Sequence, residues 1–186
     1  METIISICLG IGLAASVGFR VFLPLFTLSL ASYFNVWQLN DSWLWIGSLT
    51  AIITLGIATL VEILAYYIPV VDNFLDAIAV PLAIIAGTLV MVSTMSDLNP
   101  ITTWALAIIA GGGTAATIKS ATGASRITST VSTAGFGNPI VSTIETSASM
   151  LMSVFAIFLP IIAFVLVICV LFAIFKLYKK ITHSKR

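Results

Sequence analysis

Apolar stretches of about 18 residues or more, each long enough to cross a bilayer as a helix, follow one another along this chain with short gaps between them. A water-soluble fold carries about a quarter of its residues charged to cover its surface. Here the charged share is 8% and the hydrophobic share 60%, with a mean hydropathy of +1.17. The chain therefore reads as an all-α, polytopic membrane helix bundle of about five to seven segments. A formal net charge of +1 excludes a nucleic-acid surface, which needs clustered basic residues. Cys8 and Cys169 both lie in apolar stretches and read as inert thiols, and His183 stands alone in a polar tail. No cofactor or metal is expected, since a His or thiolate site has too few ligands. Met1 to Ile5 lack the basic lead of a cleaved signal, so the first apolar segment is expected to remain.

Prolines, glycines and polar turns divide the chain. The first apolar run, from about Ile4 to Phe34, contains Arg20 and Pro24, and reads either as one tilted, kinked helix or as two shorter pieces. Asn35 to Ser42 form a turn, with Trp37, Trp43 and Trp45 suited to an interfacial belt. A second helix is predicted over Trp43–Ile68, stopping at Pro69. A third is predicted over Asp72–Met95, with Asp72 as N-cap. After a turn at Ser96 to Pro100, a fourth runs from Ile101 to Ile118. The Ser/Thr-rich stretch from Lys119 to Gly135 reads either as a helix with one basic face or as a solvated loop. Gly137-Asn138-Pro139 predicts a helix start, with Asn138 as cap, and Pro160 divides the final apolar run in two. Residues 1–178 form a single membrane domain and 179–186 a basic tail. Lys176, Lys179, Lys180, Lys185 and Arg186 place that end in the cytoplasm by the positive-inside rule.

Gly10-Ile11-Gly12-Leu13-Ala14-Ala15-Ser16-Val17 is similar to Gly111-Gly112-Gly113-Thr114-Ala115-Ala116-Thr117-Ile118, and a basic residue follows each, Arg20 and Lys119. Two readings stand side by side. One is an inverted repeat of halves 4–76 and 101–178 with interrupted or re-entrant helices, as in transporters. The other is close helix packing through small residues.

Ionisable side chains within a span cost at least ~2.5–3.5 kcal/mol each, so Arg20, Glu62, Asp76, Lys119, Arg126 and Glu145 need partners or a function. Pro24 denies the carbonyl of Arg20 its helical donor, which puts a guanidinium beside a helix defect. Such a group binds a phosphate or carboxylate bidentately, or else pairs with Glu62 or Glu145. Lys119 and Arg126 share a helical face with Thr122 and Ser129. Asn138-Pro139 offers free N–H groups to an anion, and Ser142, Glu145 and Ser149 form a polar stripe beyond it. Glu62, Asp72 and Asp76 surround the Pro69 turn and could together hold a cation, although Asp72 as cap and Asp76 beside the helix dipole account for two of them without a ligand. There is no Ser-His-Asp arrangement, phosphate-binding P-loop or zinc motif, and an enzyme is not expected.

Three stretches resemble an uncharacterised bacterial membrane family, domain of unknown function 4126. They are Gly12 through Arg20 to Pro24, Glu62 through Pro69 to Asp72 and Asp76, and Gly137-Asn138-Pro139 through Ser142 to Glu145. The resemblance implies that Arg20, Glu62, Asp72, Asp76, Asn138 and Glu145 belong to a shared polar core, and implies no activity. The family pattern has acids where this chain has Tyr66 and Thr146, which weakens a metal-site reading.

These features lead to a set of expectations. The first is transport of an anionic small molecule or lipid headgroup through a polar site near the bilayer midplane of a bacterial inner membrane. Arg20, Lys119, Arg126 and Asn138 would bind the anion, while Glu62, Asp76 and Glu145 would balance charge or carry protons. Membrane lipids are the expected partners, with homo-oligomer formation left open. The alternatives are a cation or proton pathway on Glu62, Asp72 and Asp76, and a scaffold in which the charges are structural pairs.

Overall fold

A computed structural model describes residues 2–95 and 98–183, and these form helices without strands. Ser96 of the predicted turn and Lys185 and Arg186 of the basic tail lie outside the described residues. The elements are α1 (Glu2–Phe19), α2 (Phe22–Tyr33), a 3-10 segment (Asp41–Gly47), α3 (Leu49–Ala65), α4 (Pro69–Thr94), α5 (Pro100–Leu106), a π-helical turn (Ala107–Gly112), α6 (Gly113–Thr133), α7 (Asn138–Phe158) and α8 (Pro160–His183). Five runs are long and apolar enough to span a membrane: α1, α4, the continuous run from α5 to α6, α7 and α8. The 3-10 segment and α3, bent by 65° at their junction, form a broken span, which would be a sixth, or a re-entrant loop. The protein is a multi-pass membrane helix bundle.

The first apolar run resolves into two pieces that fold back on each other. Ser6 at the start of α1 accepts through its carbonyl from Thr94 Oγ1 at 3.4 Å, and Asn40, beyond α2, donates its N–H to Ser93 O at 3.0 Å. Both outer ends of the α1–α2 hairpin thus meet the C-terminal end of α4. Its tip, at Arg20 and Val21, lies inside the bundle. α2 runs antiparallel to α3, with Phe22 beside Glu62, Phe26 beside Gly56 and Ser29 beside Ile46.

The helix boundaries correct three expectations. α4 begins at Pro69, with extended Ile68 before it, so Asp72 is not an N-cap but sits in the first turn, buried. A proline at the first helical position needs no cap for its missing N–H, which frees the Asp72 side chain for another partner. At α7 the residue before the helix is Gly137, without a side-chain cap, and Asn138 is already helical. The fourth segment does not stop at Ile118. The Ser/Thr-rich stretch continues it as α6, with hydroxyls bonding back to their own helix, as in Ser132 Oγ to Thr128 O at 2.7 Å. It ends at left-handed Ala134 and at Gly135, whose φ of +88° suits a residue without Cβ.

Small residues set the interhelical distances. A Cβ added at Gly87 of α4 would lie 2.9 Å from the Gly111 carbonyl, and one at Gly18 of α1 would lie 2.6 Å from the Ile118 side chain. Of the two similar octads, Gly10, Gly12, Gly111 and Gly112 make such close approaches, whereas Gly113 has open space. Ser16 is bonded to Ser149 Oγ at 2.9 Å and Ser153 Oγ at 2.6 Å, tying α1 to α7 in the apolar interior. The two ends of the bundle differ in chemistry. Trp43, Trp45 and Trp104 line a groove of about 330 Å³ with Asn40, Leu98 and Pro100, at the end where α4 finishes. Lys176, Lys179 and Lys180 are exposed at the finish of α8, the opposite end.

Candidate functional site

The site is built around the hairpin tip. The last helical bond of α1 there runs from Arg20 N–H to Ser16 O at 3.1 Å, after which the chain turns. Restarting a helix leaves its first N–H groups without acceptors. Glu62 of α3 supplies them, taking Val21 N–H at 2.8 Å and Phe22 N–H at 3.0 Å on its two oxygens. Pro24, in the same first turn, has no N–H to satisfy. Arg20 is fully buried and turns to α7: Nε donates to Thr146 Oγ1 at 3.0 Å and Nη2 to Ser142 O at 3.0 Å and Ser142 Oγ at 2.5 Å. Nη2 also lies 3.7 Å from Glu145 Oε2. The sequence-based expectation of a buried arginine at a helix break, touching a carboxylate from another segment, matches this arrangement.

Arg126 forms the second half. Its Nε donates to Glu145 at 3.0 Å and 3.2 Å, its Nη2 to the same carboxylate, and its Nη1 to Asp72. Asn138 Nδ2 donates to the other Asp72 oxygen at 3.0 Å and to Thr130 Oγ1 at 3.0 Å. The asparagine predicted to cap α7 thus braces the ion pair between α4 and α6. Asp76, one turn after Asp72, stands 4.0 Å from Arg126 Nε, and its Oδ1 is buried without a hydrogen-bond partner.

Tyr66 joins the two halves. The Arg20 and Arg126 guanidinium carbons lie 4.1 and 4.3 Å from its ring centroid, distances that leave room for one guanidinium per face. Lys119 Nζ lies 5.2 Å from the same centroid and reaches Tyr66 Oη and Phe19 O, each at 3.4 Å. Among the described residues Lys119 has no carboxylate within ion-pair distance, and Arg20 Nη1 has no acceptor. Two buried cations therefore hold unused donors.

The seven site residues predicted from sequence, Arg20, Glu62, Asp76, Lys119, Arg126, Asn138 and Glu145, converge on this cluster, and Asp72 joins them. Of the two grooves described among these residues, neither reaches all of them. A groove of about 350 Å³ between α4 and α6, lined by Asn73, Asp76, Ala77, Arg126, Ile127, Thr130 and Val131, reaches Asp76 and Arg126. Arg20 and Lys119 lie behind it, enclosed. The cluster is also off-centre. Asp76 and Glu145 each sit seven residues into their helices, roughly 10 Å from the lysine-bearing end at 1.5 Å per residue, rather than at half-height. The three-carboxylate cation site does not assemble. Glu62 holds the α2 start and Asp72 holds Arg126, and no group of three His, Cys, Asp or Glu side chains is placed for a metal among the described residues.

Tyr66, Thr146 and the partnership of Asp72 were not assigned from sequence. Only Tyr66 leaves a trace there, as a hydroxyl-bearing aromatic one turn after Glu62 and just before the Pro69 break. Residues 7–180, nearly the whole chain, match the family described as domain of unknown function 4126 (DUF4126). No curated protein and no solved structure matches the chain.

Proposed function

We propose that this chain, which belongs to the DUF4126 family, moves an anionic small molecule or lipid headgroup across the membrane through the Arg20–Lys119–Arg126 cluster. The observation that carries the reading is Lys119, 2% exposed, with two uncharged oxygens at 3.4 Å as its acceptors. A buried cation costs several kcal/mol unless an opposite charge compensates it, and a bound phosphate or carboxylate between Lys119 and Arg20 Nη1 would do so. Arg126 is already spent on Glu145 and Asp72, so in this reading it positions the site rather than holding the ligand. Asn138 acts the same way through Asp72. Access in this reading is through the α4–α6 groove. The lysine-bearing end would face the cytoplasm of a bacterial inner membrane by the positive-inside rule. The pairwise resemblance of the two octads fits a repeat of the transporter kind, although their packed glycines also serve close helix contact.

Binding is tested by anion-dependent stabilisation of the purified protein. Inorganic phosphate, sulfate and short carboxylates in neutral detergent, and phosphatidylglycerol against phosphatidylcholine in nanodiscs, separate a soluble anion from a headgroup. A ligand present at about 100 times its Kd stabilises the fold by ~2.7 kcal/mol. That gain should vanish in Lys119→Met and shrink in Arg20→Lys, which loses the fork geometry. A structural cluster gives no anion-dependent shift in any of the preparations.

A further inference from the structure

The charges of the site do not cancel. Arg20, Lys119 and Arg126 face four buried or half-buried carboxylates, Glu62, Asp72, Asp76 and Glu145. Three of the four are committed: Glu62 to two backbone N–H groups, Asp72 to Arg126 and Asn138, Glu145 to Arg126. Asp76 is the surplus one. Its closest cation, Arg126 Nε at 4.0 Å, is already used by Glu145, and its Oδ1 has no hydrogen-bond partner. It is also the carboxylate that lines the groove, with its side chain 25% exposed.

We propose that Asp76 is the exchangeable proton site of this protein, loaded from water in the α4–α6 groove, and that one proton accompanies each anion admitted to Arg20 and Lys119. The coupling rests on the transport reading above; the proton site itself does not. A cluster already carrying one excess negative charge gains a second when an anion arrives, in surroundings where net charge is costly. A proton on the Asp76 carboxyl offsets that second charge, the O–H bond forming as a hydronium ion in the groove hands over its proton and is left as water. The charged and titratable groups facing Asp76 are Arg126 and Lys119 from α6, Asp72 from α4, Glu145 from α7 and Tyr66 from the end of α3. α1 contributes Arg20, which turns to Ser142 and Thr146 of α7. None of these is free to pair with Asp76 without giving up a partner it already has, apart from Lys119 and Arg20 Nη1, which the incoming anion claims.

Infrared difference spectra of the full chain in phosphatidylcholine vesicles, titrated with pH, read the protonated carboxyl directly. One carboxyl band should appear on acidification, be absent in Asp76→Asn and be displaced in Asp76→Glu, with thermal stability followed in each to show that the fold persists. A band unchanged in Asp76→Asn, or no titrating carboxyl band in the wild type, overturns the proposal. The second arm adds inorganic phosphate to these vesicles, or replaces part of the phosphatidylcholine by phosphatidylglycerol, and follows proton uptake with a pH dye. Uptake in the wild type that is lost in Asp76→Asn establishes the coupling and identifies the source of the anion. A titrating Asp76 band without anion-linked uptake keeps the proton site and overturns the coupling, and the transport reading falls with it only if anion binding is also absent.

Discussion

Lys119 is where a structural and a functional origin of the cluster separate most clearly. A cation kept for stability should be paired, and removing one partner of a buried pair costs about 3–5 kcal/mol. Arg126, held by Glu145 and Asp72, fits that description, and Arg126→Ala is expected to lose about that much in chemical or thermal unfolding. Lys119→Met should lose clearly less than Arg126→Ala, because no carboxylate within ion-pair distance of Lys119 is left stranded. Glu62 makes a further residue-level claim. Glu62→Ala strands two N–H groups in an apolar interior, at about 1–3 kcal/mol for each, whereas Glu62→Gln keeps one acceptor oxygen and should recover part of the loss in the same unfolding measurement. Arg20 was legible in the sequence because its defect is local, with Pro24 four residues on. Glu62 as the partner of Val21 and Phe22 was not, since a side chain bonding backbone 40 residues away leaves no periodic trace. The Tyr66 hub was hidden for the same reason.

Among the elements, breaks written in proline and glycine were legible, and tertiary direction was not. Pro160 and Gly137-Asn138-Pro139 mark helix starts that the structure keeps, and Pro69, expected to end one helix three residues before the next begins, itself opens α4. That α2 turns back along α3 instead of continuing α1 depends on packing between distant segments, and the sequence left one kinked helix as an equal reading. The Ser/Thr-rich run was ambiguous because those residues favour turns as readily as helix; α6 forms since Arg126 and Lys119 must reach the buried cluster from one face. Close packing of α4 on the π turn and α6 requires Gly87. Gly87→Ala sets a Cβ 2.6 Å from that of Ala115 and 2.9 Å from the Gly111 carbonyl, and is expected to cost about 1–3 kcal/mol of stability. Gly123→Ala, in α6 with nothing within 4 Å of the added Cβ, should be neutral or stabilising by up to ~1 kcal/mol. Unfolding of the two variants side by side in one detergent tests whether glycine acts there by contact or by composition.

For the whole molecule, membrane residence followed from the scarcity of charge, and the few charges that remain were the reliable guide to where the helices converge. What they do there was less legible, because ion pairing and ligand binding call for the same residues and differ only in whether every donor is spent. Tryptophans at one end and lysines at the other give the bundle two distinct faces, with the cluster nearer the lysines and behind the α4–α6 groove. The most direct measurement is flux in proteoliposomes of wild type and Lys119→Met, with thermal stability recorded on the same preparations. Radiolabelled phosphate reports soluble anions and fluorescent phosphatidylglycerol reports lipid translocation. Anion transport predicts flux in the wild type of at least one of these and its loss in Lys119→Met while the fold is kept. Undiminished flux in a stable Lys119→Met, or a Lys119→Met that unfolds without any flux in the wild type, would contradict it.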